Sequence, residues 1–249
     1  MMTISKGKAR LYVENELSPN VQFVLDKDQA HYLNRVMRCN AGDPIDVFNG
    51  QDGEWQCHIS QISKANAELT VNIQTRRQIS TNGPWLAFAP VKKTRTDFIV
   101  EKATELGVSA LTPIFTVNPA TSRVNAERLQ AIAIEAAEQC RRLDVPKVHS
   151  AQTLQSFLDG PLLNRTLFVL NETGNGRPLP TIIKSEKKTP DACFVVGPEG
   201  GFQTTELDAL GKLPFVTMVG VGPRILRAET AALAALSCWQ ALTGAWGRD

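Results

Sequence analysis

The hydrophobic pattern of this chain changes once along its length. Up to about Arg77 the apolar residues fall in short alternating runs: "VQFVL" at 21–25, "PIDVFN" at 44–49, "EWQCHIS" at 54–60 and "AELTVNIQ" at 67–74. Turn-forming stretches, Asn40 to Asp43 and Asn49 to Gly53, lie between them. A period of two bounded by turn formers predicts half-buried strands, here a small, mostly antiparallel β barrel or sandwich. One segment of helical spacing, "DQAHYLNRVMR" at 28–38, interrupts it. "QISTNGP" at 78–84 is rich in turn formers, ends in proline and reads as a linker. The pattern thus divides the chain into domains at 1–80 and 81–249.

From Trp85 onward apolar strands alternate with helical periods, the signature of βα units and a mostly parallel sheet. "WLAFAPV" precedes a helix near 95–106, where Phe98, Ile99, Ala103 and Leu106 share a face and Gly107 supplies the stop. "ALTPIF" at 110–115 precedes a helix at 125–142 that Asn125 caps. Further strands are predicted at "TLFVLNE" (166–172), in "ACFVVGPEGG" (192–201) and at "FVTMVGVG" (215–222). Helices are expected near 203–210 and over 224–243, the latter ending at Gly244. The last carries Ile225, Ala228, Leu233, Leu236 and Trp239, more apolar surface than a one-faced helix needs, which suits an interface or a deep core. The fold class is α/β.

Charge adds little. There are 27 Lys plus Arg against 25 Asp plus Glu, a net charge of +2, so no polyanion partner is announced by bulk charge. Residues 1–82 hold nine basic and nine acidic residues, leaving 18 and 16 for the rest, so a nucleic-acid contact must come from local clustering. The five cysteines are scattered, without a CxxC or a histidine at ligand spacing. They read as buried thiols in a reducing compartment, and no metal site is expected. No leader pattern opens the chain, and its longest apolar run, "AALAALSC" at 231–238, is far short of the roughly 20 residues of a membrane span. These features predict a soluble cytoplasmic protein. His31, His58 and His149 show no partner spacing and read as ordinary polar or core residues.

The chemistry concentrates in three strand-end segments of the last third, "LNETGNG", "GPEGG" and "GVGPRILR". In an open α/β sheet ligands gather at the carboxyl ends of strands. Glycine lets backbone groups come within hydrogen-bonding reach of a ligand. A phosphate loop would need GxxxxGK[ST], whereas Glu199 stands in the middle of "GPEGG", where its charge repels phosphate. A dinucleotide fingerprint fails as well, because Ile225 occupies the place of the third glycine after Gly220 and Gly222. A cationic adenosine derivative without phosphates suits these loops better, and S-adenosylmethionine is such a molecule.

"VVGPEGGFQTTEL", followed after a short strand by "VGVGPRILRAETAALAAL", resembles the paired signature of the RsmE family, the 16S rRNA uridine-N3 methyltransferases of the SPOUT superfamily. The resemblance extends to "ARLYVE" (9–14), "HYLNRVMR" (31–38), "KKTRTDFIVEKATELGVSALTPIF" (92–115) and "IEAAEQCRRLDVP" (134–146). The third loop departs from it, reading "GVGPRILR" where the family more often has Leu-Gly before its arginine. The resemblance implies a PUA-like N-terminal barrel for RNA and a C-terminal SPOUT α/β domain tied in a trefoil knot, acting as a homodimer on 16S rRNA of the 30S subunit. It also implies a pocket for S-adenosylmethionine formed by Leu170 and Asn171, by Gly197, Glu199 and Gly200, and by Val219, Gly220, Val221, Ile225 and Leu226.

Methylating uracil N3 requires that a proton leave while negative charge spreads to the flanking carbonyls, so the protein must position N3 and stabilise that charge. Arg227 in "ILRAET" is the first candidate for the electrostatic role. Glu229 is a candidate for orienting that guanidinium or accepting the proton, and Thr230 for bonding the cofactor or the helix start. The structural alternative is that Arg227 and Glu229 merely pair with each other across the first turn of a helix. For RNA the candidates are Arg10, Arg35 and Arg38, the last two placed by their spacing on one helix face, and Lys92, Lys93 and Arg95 at the end of the first strand of the second domain. Arg123 could approach the site from a neighbouring loop or subunit. Two further readings are a SPOUT enzyme for another RNA, such as tRNA, and a non-catalytic RNA-binding assembly factor.

Overall fold

A computed structural model describes residues 6–64, 66–79, 82–160, 165–173, 176–185, 191–244 and 246. They form two compact units, the first holding 1–80 together with 137–145, the second 81–136 and 146–249.

The first unit is a curled five-stranded sheet. Its strands are β1 (Arg10–Tyr12), β2 (Gln22–Val24), β3 (Pro44–Phe48), β4 (Glu54–Ile62) and β5 (Ala67–Arg76), in the order β1-β3-β4-β5-β2. All pairings are antiparallel except that of β1 with β3. β4 and β5 bulge at three places, between Glu54 and Trp55, Gln56 and Cys57, and Ile59 and Gln61. Each bulge bends the ribbon, so that one face closes over Leu11, Phe23, Leu33, Ile45, Val47, Cys57, Ile59, Leu69 and Val71. Burial pushes the Cys57 thiol up to about 12, helped by Asp46, so it is an inert core group. The predicted helix at 28–38 is shorter: α1 spans Lys27–His31, a π-helical turn follows at Tyr32–Val36, and Arg38 has a φ of 51°. Arg35 and Arg38 therefore do not share a helix face, and both are exposed.

Arg10, expected at RNA, is a buried structural cation. Its side chain is only 9% exposed and its Nε donates to Glu54 Oε2 at 2.6 Å. Nη1 donates to the carbonyls of Ala137 (2.9 Å) and Glu138 (3.3 Å), and Nη2 to that of Arg142 (2.7 Å). The guanidinium lies 3.8 Å from the centre of the Phe48 ring. These bonds, with that from Tyr12 N to Glu138 Oε1, join 137–145, which includes the last turn of the helix over Ala126–Cys140, to the first unit.

The second unit is a parallel sheet. It uses β6 (Trp85–Phe88), β7 (Ala110–Phe115), β8 (Lys147–Val148), β9 (Gln152–Thr153), β10 (Thr166–Leu170), β11 (Arg177–Pro178), β12 (Ala192–Val196) and β13 (Val216–Gly220). The order is β11-β13-β10-β12-β6-β7-β8, and β9 also pairs with β7. All five residues of β12 are buried, as befits a central strand covered on both faces. The helices are α2 (Lys93–Glu105), α3 (Ala126–Cys140), α4 (Leu154–Leu158), α5 (Leu179–Ser185), α6 (Thr204–Gly211) and α7 (Ala228–Leu242). Asn125 Oδ1 accepts from Arg128 N at 2.9 Å, the cap expected for α3. Gly107, with a φ of 81°, ends α2, and a side chain there would strike Gln240, whose Nε2 donates to Leu106 O at 2.6 Å. The predicted helix at 224–243 begins four residues late, because Arg227 is an extended N-cap with a ψ of 156° and the "PRIL" stretch before it is loop.

Candidate functional site at the carboxyl ends of the strands

β10, β12 and β13 run side by side in one direction, with Val169 opposite Val195 and Leu170 opposite Val219, so their last residues finish together. The chain leaves them through Asn171 and Glu172, through Gly197–Gly201 and through Val221–Leu226. A fourth piece, Gly176–Pro180 around β11, comes in because Arg177 pairs with Val219. With Ala228, Ala231, Ala234 and Cys238 of α7 these segments enclose a cavity of about 810 Å³. Leu170 and Val219 are buried at its wall, whereas Ile225 is 81% exposed. An isoleucine left that bare at a cavity is an apolar surface without a protein partner.

Three glycines of these loops are also required by packing. A side chain at Gly197 would come within 2.9 Å of the Phe202 ring, one at Gly201 would overlap the Glu172 carboxylate, and one at Gly176 would overlap the Val219 carbonyl. Gly201 also has a φ of 73°. These three are bare so that the loops can pack on one another. Gly200 and Gly222 have nothing within 4 Å of a would-be Cβ.

Glu199 does not present a free charge. Arg95, in the first turn of α2, donates through Nη1 to Glu199 Oε1, and its Nε lies 3.6 Å from Glu229 Oε1. Thr96 closes the turn that carries Arg95, its hydroxyl accepting from Val91 N at 3.0 Å and bonding Val91 O at 3.1 Å. Among the described residues, Glu229 Oε2 is buried without a hydrogen-bond partner. Glu206 accepts from Gln203 N (2.9 Å) and from Val117 N (2.8 Å), tying the start of α6 to the segment after β7.

A family model described as an RNA methyltransferase domain matches residues 81–240, and one described as an RNA methyltransferase PUA domain matches 25–72. The ribosomal RNA small subunit methyltransferase E of Rickettsia conorii is 33% identical over 92% of this chain and 93% of its own. The Bacillus subtilis protein of that name is 32% identical over 86% and 88%. This chain belongs to the ribosomal RNA small subunit methyltransferase E family. Among solved structures, the family member from Neisseria gonorrhoeae bound to S-adenosyl methionine superposes with a TM-score of 0.82 at 28% identity, covering 94% of this chain and 97% of that one. A putative methyltransferase from Legionella pneumophila, in complex with the same cofactor, gives 0.85 at 25% identity over 95% and 98%.

Within this methyltransferase E chain, the cavity brings together Leu170, Asn171, Gly197, Glu199, Gly200, Val219, Gly220, Val221, Ile225 and Leu226. Thr230 is exposed and outside the lining. Arg227 and Glu229 also lie outside it. Arg227 is exposed and its guanidinium has no hydrogen bond or ion pair among the described residues, so the expected Arg227–Glu229 pair is replaced by Arg95–Glu229. Lys92 is the exposed N-cap of α2, Lys93 is exposed beside it, and Arg123 is exposed on the segment after β7. Sequence reasoning missed Glu172, Pro178, Leu179 and Arg224 at the rim and the α7 face of Ala231, Ala234 and Cys238. The spacing of three and four in that face is a helical signal that could have marked it.

The residues fit S-adenosylmethionine by chemistry. Among the described residues, the charged side chains of the lining are Glu172, Glu199 and Arg224, two acids and one base, without a lysine for phosphate. The volume is that of a small-molecule site, which spans about 300–1,000 Å³. Its bare apolar wall at Ile225, with Leu226 beside it, matches an adenine face.

Proposed function

We propose that this chain transfers the methyl group of S-adenosylmethionine to 16S rRNA of the small ribosomal subunit, at N3 of a uridine, in the cytoplasm. The observation that carries the reading is the cavity itself: strand-end loops and α7 enclose an apolar, net acidic space with an uncovered isoleucine, in a chain of this family. Leu170, Val219, Ile225 and Leu226 would hold the adenine. Glu172 and Glu199 would face the cationic end of the cofactor, which when bound supplies an electrophilic methyl on sulfur. Backbone groups of Asn171, Gly197, Gly200, Gly220 and Val221 would fix the ribose and amino-acid portions. Thr230 would steady the first turn of α7.

The target base must be unstacked to reach such a cavity. Exposed Arg35 and Arg38 on the PUA unit and Lys92 and Arg95 at the start of α2 are the cations proposed to meet RNA, and Arg227, exposed at the N-cap of α7, is proposed to stabilise charge on the uracil carbonyls. We also propose a homodimer, supported by the apolar character of α7, and the trefoil knot, with which β13 lying between β10 and β11, both earlier in the chain, is consistent.

The test offers the protein labelled S-adenosylmethionine with 30S particles, free 16S rRNA or bulk tRNA, and maps the modified nucleotide. Label in one uridine of 16S rRNA supports the reading; label confined to tRNA, or none anywhere, refutes it.

A further inference from the structure

Arg95, Glu199 and Glu229 form an uneven set of charges. One guanidinium serves two carboxylates that come from elements 30 residues apart, the loop after β12 and the first turn of α7. The two carboxylates differ in freedom. The Glu229 side chain is 13% exposed and sits on a helix; that of Glu199 is 37% exposed and sits on a loop in which Gly200 has nothing within 4 Å of a would-be Cβ. Glu199 lines the cavity and Glu229 does not. The Arg95 bond engages Oε1 of Glu199 and leaves Oε2.

Uracil N3 gives up a proton as it is methylated, so an acceptor must stand at the cavity. The lining offers two carboxylates, Glu172 and Glu199, and of these Arg95 fixes Glu199. Glu229 holds the same guanidinium from the other side, so that Arg95 is tied to α7 while it bonds Glu199.

We propose that Glu199 is the proton acceptor for the target uridine and that Arg95, anchored by Glu229, is the positioning residue that presents it. This rests on the methyl-transfer reading above. Glu199 Oε2 takes the N3 proton. The electron pair left on N3 forms the new N–C bond while the pair of the breaking S–C bond stays on sulfur. The carboxylic acid then returns its proton to water. The charged groups around Glu199 are Arg95 of α2, Glu229 of α7, Glu172 of the loop after β10 and Arg224 of the loop after β13.

The test is single-turnover methyl transfer to RNA by the full chain across a range of RNA concentrations, with S-adenosylmethionine binding followed separately by calorimetry. Glu199→Gln loses about 100-fold or more in rate, the usual weight of a general base, while calorimetry still detects cofactor binding. Arg95→Gln and Glu229→Gln each lose about tenfold or more in the rate at saturating RNA, as misplacing a catalytic group does, and Arg95→Lys, which keeps the charge, recovers part of that rate. A merely structural role for Arg95 and Glu229 would weaken cofactor binding together with the rate, and a role in RNA contact alone would raise the RNA concentration at half-saturation and leave the saturated rate intact. Glu199→Gln activity within a few-fold of the parent, or a saturated rate in Arg95→Gln equal to that of the parent, overturns the proposal while the methyl-transfer reading stands. A parent that methylates no RNA overturns both. Should Glu199→Gln fail to fold, the saturated rates of Arg95→Gln and Arg95→Lys still decide.

Discussion

Replacing Arg10 by alanine removes a buried cation that makes four hydrogen bonds inside the first unit. Two of its acceptors, Ala137 O and Glu138 O, belong to the last turn of α3, where carbonyls lack partners within the helix, so Arg10 also acts as that helix's C-terminal cap. Its main partner, Glu54, has a side chain only 3% exposed and keeps Arg76, at 3.5 Å, and a long bond from the Thr75 hydroxyl, at 3.4 Å, once Arg10 is gone. Burial, with Arg76 and Arg141 adding to it, pulls the Arg10 guanidinium below its ordinary range, and the bond to Glu54 opposes that pull. Removing one member of a buried pair costs about 3–5 kcal/mol, since the other charge is left stranded. Removing both charges at once, as in Arg10→Met with Glu54→Leu, should recover a large part of that loss. The assay is hydrogen exchange of peptides from β4 and β5 across a urea series, which reads the first unit alone and avoids treating two units as one transition. A loss under about 1 kcal/mol in Arg10→Ala would place the residue among ordinary surface ion pairs and refute the reasoning. Unchanged exchange with weakened RNA binding would return Arg10 to the RNA-contacting role its sequence position implied.

Other outcomes follow from the same structure. Burial, with Lys147 adding to it, holds His149 below its ordinary value of 6.5. Its stabilising contribution is therefore complete above 6.5 and lost as pH falls through the lower folded value, so melting curves at pH 7.5 and 5 should differ less in His149→Gln than in the parent. An undiminished difference would discard the assignment. Cys193, pushed up to about 12 by burial, and Cys57 should resist iodoacetamide in the folded protein, whereas Cys238 of the cavity should react slowly and be shielded by S-adenosylhomocysteine; equal labelling with and without that ligand would count against the site. Gly197→Ala forces Phe202 to shift and should weaken cofactor binding about tenfold or more, as misplacing a binding loop does, while Gly200→Ala, with open space around it, should change binding far less. Equal effects would refute the loop-packing account.

Much of this architecture was legible in the pattern of the chain. β7 was predicted at 110–115 and occurs there, and the αβ alternation after Trp85 reads directly as a parallel sheet. The cavity was legible for a related reason: three apolar strands that each break off into glycine and proline must place loops at one edge of such a sheet. What escaped was either too short or too distant. β8, β9 and β11 are two residues each, below any periodicity. The start of α7 was misread because Ile225 and Leu226 extend its apolar pattern backwards, although Ile225 faces the cavity rather than a core. Arg95 and Glu199 are 104 residues apart, and only folding reveals that they meet. Arg10 carries the composition of an RNA contact, and its burial depends on carbonyls 127 to 132 residues away.

The most direct measurement is calorimetric titration of S-adenosylmethionine into the parent and into Ile225→Glu. Because Ile225 is exposed at the cavity and touches little of the core, the substitution should leave the fold intact while placing a charge where the adenine lies. The account predicts one site per chain in the parent and its loss in the variant. Absence of binding in the parent, or undiminished binding in the variant, would contradict it.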